Sequence, residues 1–301
     1  MDLRGFYTEH YKKLFIIPII LVILALGVLV MNYVQTGDII DKDVSLKGGI
    51  TVTVYSTENF DGLEQHLIDT LGVDLNVREL SEFASDVQIG FVVETSEADE
   101  EALLLAIEDY IGFELNSDNY SLEIVGSALG ESFYQQMLVA IGLAFLFMAI
   151  VVLITFRSFI PSFAVVFAAF SDMVITLAIL SLMGVNLSPS GIAALLLLIG
   201  YSIDTDILLT TKVLKRKEGK AVDRMIGAMK TGLTMTGTTL AALSVAFLVA
   251  TSLVLKQMFM VIVIGLLVDV IITYAMNAGV LVWYAKKKGG KEWRFLLELG
   301  Y

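Results

Sequence analysis

Six apolar stretches, each long enough to cross a bilayer, constrain this chain more than any other feature. A bilayer core takes roughly 20 apolar residues in a helix. Leu14–Val34, Gln136–Phe156, Phe159–Met183, Pro189–Thr211, Thr231–Leu253 and Met258–Ala285 all reach that length. The first is too long for a signal-peptide core and no small-x-small cleavage site follows it, so it reads as a retained anchor. Only 17% of the 301 residues are charged, against about 25% in a soluble domain. The expected fold class is therefore a polytopic α-helical membrane protein with six transmembrane helices. There is no cysteine and there are two histidines, which excludes disulfide scaffolds, Cys/His zinc sites, thiol nucleophiles and iron–sulfur clusters. No Gly-rich phosphate-binding pattern is present, so no nucleotide site and no cofactor are expected. A net charge of −12 argues against a nucleic-acid partner.

Charge sets the expected orientation. Arg4, Lys12 and Lys13 precede the first stretch, and Arg157 lies between the second and third. Lys212, Lys215, Arg216, Lys217, Lys220, Arg224 and Lys230 fill the loop after the fourth, and Lys286, Lys287, Lys288, Lys291 and Arg294 follow the sixth. The short connections on the other side hold only Lys256. By the positive-inside rule both termini and the basic loop are cytoplasmic. The basic loop is most simply an orientation signal resting on anionic lipid. This divides the chain into residues 1–34 (cytoplasmic N-terminus and helix 1), 35–130 (an outer domain), 131–285 (helices 2–6) and 286–301 (a basic cytoplasmic tail).

The outer segment carries 21 Asp and Glu against Lys42, Lys47 and Arg78. Such a surface is soluble and repelled by an anionic membrane. Gly49–Ser56 alternates as a strand does. Phe60–Leu71 spaces Phe60, Leu63, Leu67, Ile68 and Leu71 as a helix does. Leu75–Leu80 and Val87–Thr95 read as strands, Ser96–Ile111 as a helix opened by a Ser96 cap, and Tyr120–Val125 as a strand. The order βαββαβ predicts a ferredoxin-like α+β domain between helices 1 and 2. No pocket chemistry is visible there, so binding is the default.

Each charge at mid-membrane costs on the order of 2.5–3.5 kcal/mol on insertion scales. Four aspartates need an explanation: Asp172 in the third stretch, Asp204 and Asp206 in the fourth, and Asp269 in the sixth. At 1.5 Å per residue they lie roughly 18 Å (Asp172), 10 Å (Asp204) and 7 Å (Asp206) above the cytoplasmic face, with Asp269 mid-helix. Asp204 and Asp206 are about 200° apart on a helix, so only one can face a given neighbour. No Lys or Arg lies at this depth, and a carboxyl buried without a cation favours its protonated form, the chemistry of a reversible proton carrier. Neutral interhelical glue is the bland alternative. Thr231, Thr234, Thr236, Thr238 and Thr239 add hydroxyls, which either support a relay or bond to their own helix.

The same residues carry a resemblance. Lys42-Asp43-Val44-Ser45-Leu46-Lys47-Gly48-Gly49-Ile50 after the first stretch resembles the D-x-x-G-G element of the SecD/SecF family, with four residues between Asp43 and Gly48 where that element has two. Val125-Gly126 with Leu129-Gly130-Glu131 is similar to the re-entry segment of its SecF branch. Gly200-Tyr201-Ser202-Ile203-Asp204 resembles the G-Y-S-[IV]-N-D motif, and Thr234-Met235-Thr236-Gly237-Thr238-Thr239 resembles the N-T-S-x-T-T run. The resemblance covers essentially the whole chain and implies the resistance–nodulation–division superfamily. It implies a SecD-like partner completing a 12-helix unit, and a proton-driven, non-enzymatic role beside the Sec translocon channel acting on unfolded translocating polypeptides. It implies a multi-pass place in the cytoplasmic membrane.

The chain departs from the bacterial pattern and lies closer to an archaeal one. Asp204-Thr205 replaces Asn-Asp, so the usual acid position is Thr205, while Asp204 matches the fourth-helix acid of SecD and is the favoured carrier. Ser171-Asp172 replaces His-Asp, an arginine becomes Thr231 beside Lys230, and Asp269 replaces a small residue. Half of a small-molecule or lipid exporter is the competing reading, but about 95 residues without an aromatic-lined pocket argue against it. An intramembrane aspartyl protease would need two facing aspartates in YD and GxGD contexts, which Ser-Ile-Asp-Thr does not supply.

Overall fold

The computed structural model describes residues 14–56, 60–81, 88–215, 219–250 and 252–287, with residues 5, 7, 9 and 58. Arg4, Lys12, Lys13, Arg216, Lys217, Lys288, Lys291 and Arg294, and with the last three most of the basic tail, lie outside the described residues.

Six helices are long and apolar enough to cross a membrane. They are α1 (Ile16–Thr36), α5 (Ser127–Phe156), α6 (Phe159–Leu182), α7 (Pro189–Leu214), α8 (Ala221–Val249) and α9 (Leu253–Ile272). α9 runs on through a π-helical turn, Thr273–Asn277, into helix to residue 287. α7 opens with Pro189 in its first turn and with the Ser188 side chain accepting from the Gly191 amide, which together satisfy an N-terminus. Within their most apolar windows α6, α7 and α9 bury 61, 50 and 50%, whereas α1, α5 and α8 bury only 22, 11 and 11%. The first three therefore form the inner layer, and any polar group they carry inward is cut off from both lipid and water.

Two of these helices start well before their apolar runs. α5 begins at Ser127 rather than Gln136, and α8 at Ala221 rather than Thr231. Both extensions are polar on one side. Hydropathy marks only the part of a helix that meets lipid, and backbone pairing carries the rest onward.

Between α1 and α5 in the chain lies a four-stranded antiparallel sheet. Its elements are a single-turn helix α2 (Val44–Lys47), β1 (Gly49–Val54), α3 (Leu63–Leu71), β2 (Leu75–Ser81), β3 (Gln88–Thr95), α4 (Glu100–Ile111) and β4 (Tyr120–Val125). The strand order is β2-β3-β1-β4. Alternation on β1 sends Ile50, Val52 and Val54 to one face, where they meet Phe91 and Val93 of β3 and the apolar stripes of α3 and α4. Leu63 and Leu67 of α3 and Leu103 and Ile107 of α4 are the buried members of those stripes. α3 starts at Leu63 rather than Phe60. α4 starts at Glu100 with Asp99 in the N-cap position, so Ser96 is not its cap; Glu100 and Glu101 fill the first turn and complement the helix dipole.

The opposite face of the sheet looks onto the ends of the membrane helices. A crevice of about 560 Å³ lies there, between Thr51, Thr53, Arg78 and Glu94 on the sheet and Val185, Phe247 and Gln257 on the helix ends. This second cover explains why Val92 and Glu94, which point away from the apolar core, are also buried. Glu94 pairs with Arg78 of the neighbouring strand.

The sheet is joined to the helices through glycine contacts that no side chain would permit. Gly48 adopts φ +84°, and a Cβ there would come within 2.3 Å of the Ser127 Cα. A Cβ on Gly130 would come within 2.8 Å of the Gly48 nitrogen. The Gly48-Gly49 motif and the Gly126…Gly130 segment, 80 residues apart, are thus two halves of one backbone junction. A further tie runs from Asp43, whose amide donates to the Leu187 carbonyl (3.0 Å), and from Leu187, whose amide donates to Asp41 (2.7 Å).

Candidate functional site

α7 decides which aspartates meet. Its buried stripe runs Leu198, Ser202, Asp206, Leu209 and Val213, spaced three or four apart. Asp206 is on this stripe and wholly buried, while Asp204, some 200° round, is exposed on the outside of the bundle. Asp204, favoured by its motif position, therefore stands apart from the other three. No hydrogen bond or ion pair to it is found among the described residues.

Asp172 of α6, Asp206 of α7 and Asp269 of α9 converge in the inner layer, at 1, 0 and 0% exposure. Ser202 donates to Asp172 Oδ2 at 2.7 Å. Thr273 Oγ1 lies 3.1 Å from both Asp269 Oδ1 and Asp206 Oδ1. Asn277 donates to Asp206 Oδ1 at 2.6 Å. One oxygen of each aspartate, together with the Asn277 amide oxygen, has no hydrogen-bond partner among the described residues. These bonds tie α7 to α6 through Ser202 and to α9 and its π-helical turn through Thr273 and Asn277, a buried polar network across three helices. Among the described residues, no group of acidic or histidine side chains is arranged to hold a metal.

Six side chains build this network, and the sequence singles out four of them. Of the G-Y-S motif, Ser202 enters the network, whereas Gly200 and Tyr201 face outward. Thr273 and Asn277 were missed, although their signal is present. They follow Asp269 at four and eight residues, polar positions on one stripe of an otherwise apolar helix. The threonines of α8 lie elsewhere. Thr234 donates to the Lys230 carbonyl (2.9 Å), and Thr238 and Thr239 to that of Met235 (2.8 and 3.1 Å). Thr236 is buried, and Thr231 accepts from Lys212 at 2.7 Å, joining α7 to α8.

Comparison with known proteins bears on the chain as a whole. Residues 109–287 match the model of the family described as protein export membrane protein SecD/SecF, C-terminal. The chain is 36% identical to the protein-export membrane protein SecF of Pyrococcus furiosus over 282 residues, which is 93% of each. It is 38% identical to that of Methanolacinia petrolearia, covering 93% of this chain and 95% of that one. Among solved structures, SecDF, a translocon-associated membrane protein from Thermus thermophilus, superposes with a TM-score of 0.69 at 21% identity. That match takes in 95% of this chain but only 39% of the SecDF chain, so this chain spans about two fifths of that longer relative. At such identity the superposition speaks for the fold. The sequence matches speak for descent, and on them the chain belongs to the SecF family of protein-export membrane proteins.

Proposed function

We propose that this chain is a non-enzymatic auxiliary subunit of the Sec translocase, which pairs with a SecD-like membrane subunit and uses the proton gradient to promote protein export. The observation that carries the proton part is the buried network of Asp172, Asp206 and Asp269. Three carboxyls sealed in the inner layer, with no Lys or Arg paired to them among the described residues, cannot all be charged. A site that must hold protons, built from groups able to release them, suits a proton relay. Ser202 and Thr273 are its supporting hydroxyls.

The SecD-like partner is supported by the outer face of α7 and α8. An exposed carboxylate midway along a membrane helix is costly in lipid, and Asp204 is one. Thr231, Thr234 and Thr238 lie exposed on neighbouring α8, a small, hydroxyl-bearing surface of the sort helices pack against. A helix of the partner covers this face and gives Asp204 a donor.

In this reading the sheet and its two helices form a ferredoxin-like domain outside the cytoplasmic membrane, spanning residues 35–130, where it meets emerging unfolded polypeptide near the channel. Helices 2–6 occupy 131–285. Lys212, Lys215, Lys220 and Lys230 belong to the end of the bundle away from the sheet, which supports cytoplasmic termini. Pulse-chase of secreted precursors after depletion of the chain tests the function. Slowed export with the channel still abundant is expected; normal export with altered small-molecule or lipid content would overturn it.

A further inference from the structure

Many hydroxyls on the membrane helices are spent on their own backbone. Ser171 donates to the Phe167 carbonyl, Thr176 to that of Asp172, and Thr234 to that of Lys230, each four residues back. Thr273 is different. Its hydroxyl is fully buried and lies 3.1 Å from one carboxyl on its own helix and 3.1 Å from one on α7. A hydroxyl has one hydrogen and two lone pairs, so it can donate to one of these carboxyls while accepting from the other. The π-helical turn begins at this residue, and the Ala278 amide reaches back five residues to the Thr273 carbonyl. Such turns place side chains where an α-helix would not and recur at functional sites.

We propose that Thr273 is the bridge through which a proton passes between Asp269 and Asp206, an inference that rests on the relay reading above. The O–H bond of a protonated Asp269 breaks as its proton goes to Thr273 Oγ1. The Thr273 O–H bond breaks as its own proton goes to Asp206 Oδ1, leaving the hydroxyl intact and one proton moved. No oxidant or reductant is involved. The path so defined runs from Asp269 on α9 to Asp206 on α7. Asn277 is a positioning residue: its amide holds Asp206 Oδ1, the oxygen that faces Thr273.

The test uses proteoliposomes holding the chain with its SecD-like partner, with dye-reported proton uptake under an imposed gradient. Thr273→Val keeps the shape and removes the hydroxyl, and uptake is expected to fall by about 100-fold, the scale of a lost proton-transfer group. Thr273→Ser, which keeps the hydroxyl, is expected to stay near the parent rate. Should the valine variant fail to assemble with the partner, Thr273→Ala takes its place against the same serine control. Parent-level uptake in an assembled Thr273→Val or Thr273→Ala complex overturns the bridge, as does a serine variant that assembles and fails. Asp206→Asn separates the two ideas. Loss there with uptake intact in Thr273→Val sinks only the bridge, whereas parent-level uptake in both Asp206→Asn and Asp269→Asn sinks the relay itself.

Discussion

Two residues along a helix is enough to separate two identical side chains into different environments. Asp204 and Asp206 share a sequence neighbourhood, yet one is exposed and the other lies among Thr273, Asn277 and the remaining acids. Asparagine keeps the size of aspartate but cannot exchange a proton, so the pair gives a clean contrast. Asp206→Asn is expected to abolish gradient-stimulated export in reconstituted vesicles while leaving assembly with the SecD-like partner intact. Asp204→Leu is expected instead to weaken that assembly, read as loss of co-purification, because the donor proposed on the partner would then face a hydrocarbon. Motif position pointed to Asp204, and only the buried stripe of α7 distinguishes the two. A second residue-scale expectation concerns Glu94 on the sheet. Burial pushes its carboxyl up, Arg78 beside it pulls it down, Asp43 pushes it up, and the net direction is upward. The unfolded chain therefore sheds this proton first as pH rises above the ordinary carboxylate range. Stability of the sheet then falls with rising pH until the folded group ionises too, and the cost is absent below that window. Amide exchange at Val92 and Val93, corrected for its intrinsic pH dependence, is expected to show this slope, and Glu94→Gln to remove it.

At the scale of elements, apolar length and period account for most of what was legible. All six membrane helices and all four strands stand where hydrophobic pattern puts them, because those patterns reflect the solvent each face meets. The ends were less legible. The first turns of α5 are polar, and their helicity follows from docking against α2 and the Gly48 turn, contacts made by residues 80 positions apart. The three-helix acid network was legible as a set of costly residues but not as a geometry, since the crossing of α6, α7 and α9 decides who meets whom. The glycine junction makes its own prediction. Gly48→Ala must hold φ +84° with a side chain and push its Cβ into the Ser127 backbone, and Gly130→Ala must push into Leu46 and Gly48. Each is expected to loosen the seat of the sheet on the helices by about 1–3 kcal/mol. Gly142→Ala, with nothing within 4 Å, is the control and is expected to be neutral. Limited proteolysis of the residue 35–130 region in the full chain reads the difference, with faster cleavage in the first two and parent-like cleavage in the third.

For the molecule as a whole, the outward faces of its membrane helices are of two kinds. α1 and α5 present Ile23, Leu24, Phe147 and Ile154, all more than 60% exposed and all apolar, as a surface in contact with lipid should be. α7 and α8 also expose apolar side chains such as Leu197, Leu233 and Met235, but set Tyr201, Asp204, Thr231, Thr234 and Thr238 among them. The threonines satisfy themselves on their own helix, so they tolerate lipid; the carboxylate of Asp204 has no such outlet. In the proposed pairing, the face of α7 and α8 that carries Asp204 is the side on which the SecD-like subunit sits. The chain contains no cysteine, so single cysteines report this without background. Thr238→Cys is expected to cross-link to the SecD-like partner with a short thiol-reactive linker, and Phe147→Cys is expected to give no such product. Asn116→Cys, beside β4, is expected to react with an impermeant maleimide added outside the cell, and Lys220→Cys only after the membrane is opened. Equal cross-linking from α5 and α8 would remove the distinction between the two faces, and labelling of Lys220→Cys in intact cells would invert the molecule, taking the sheet away from the side where exported chains emerge.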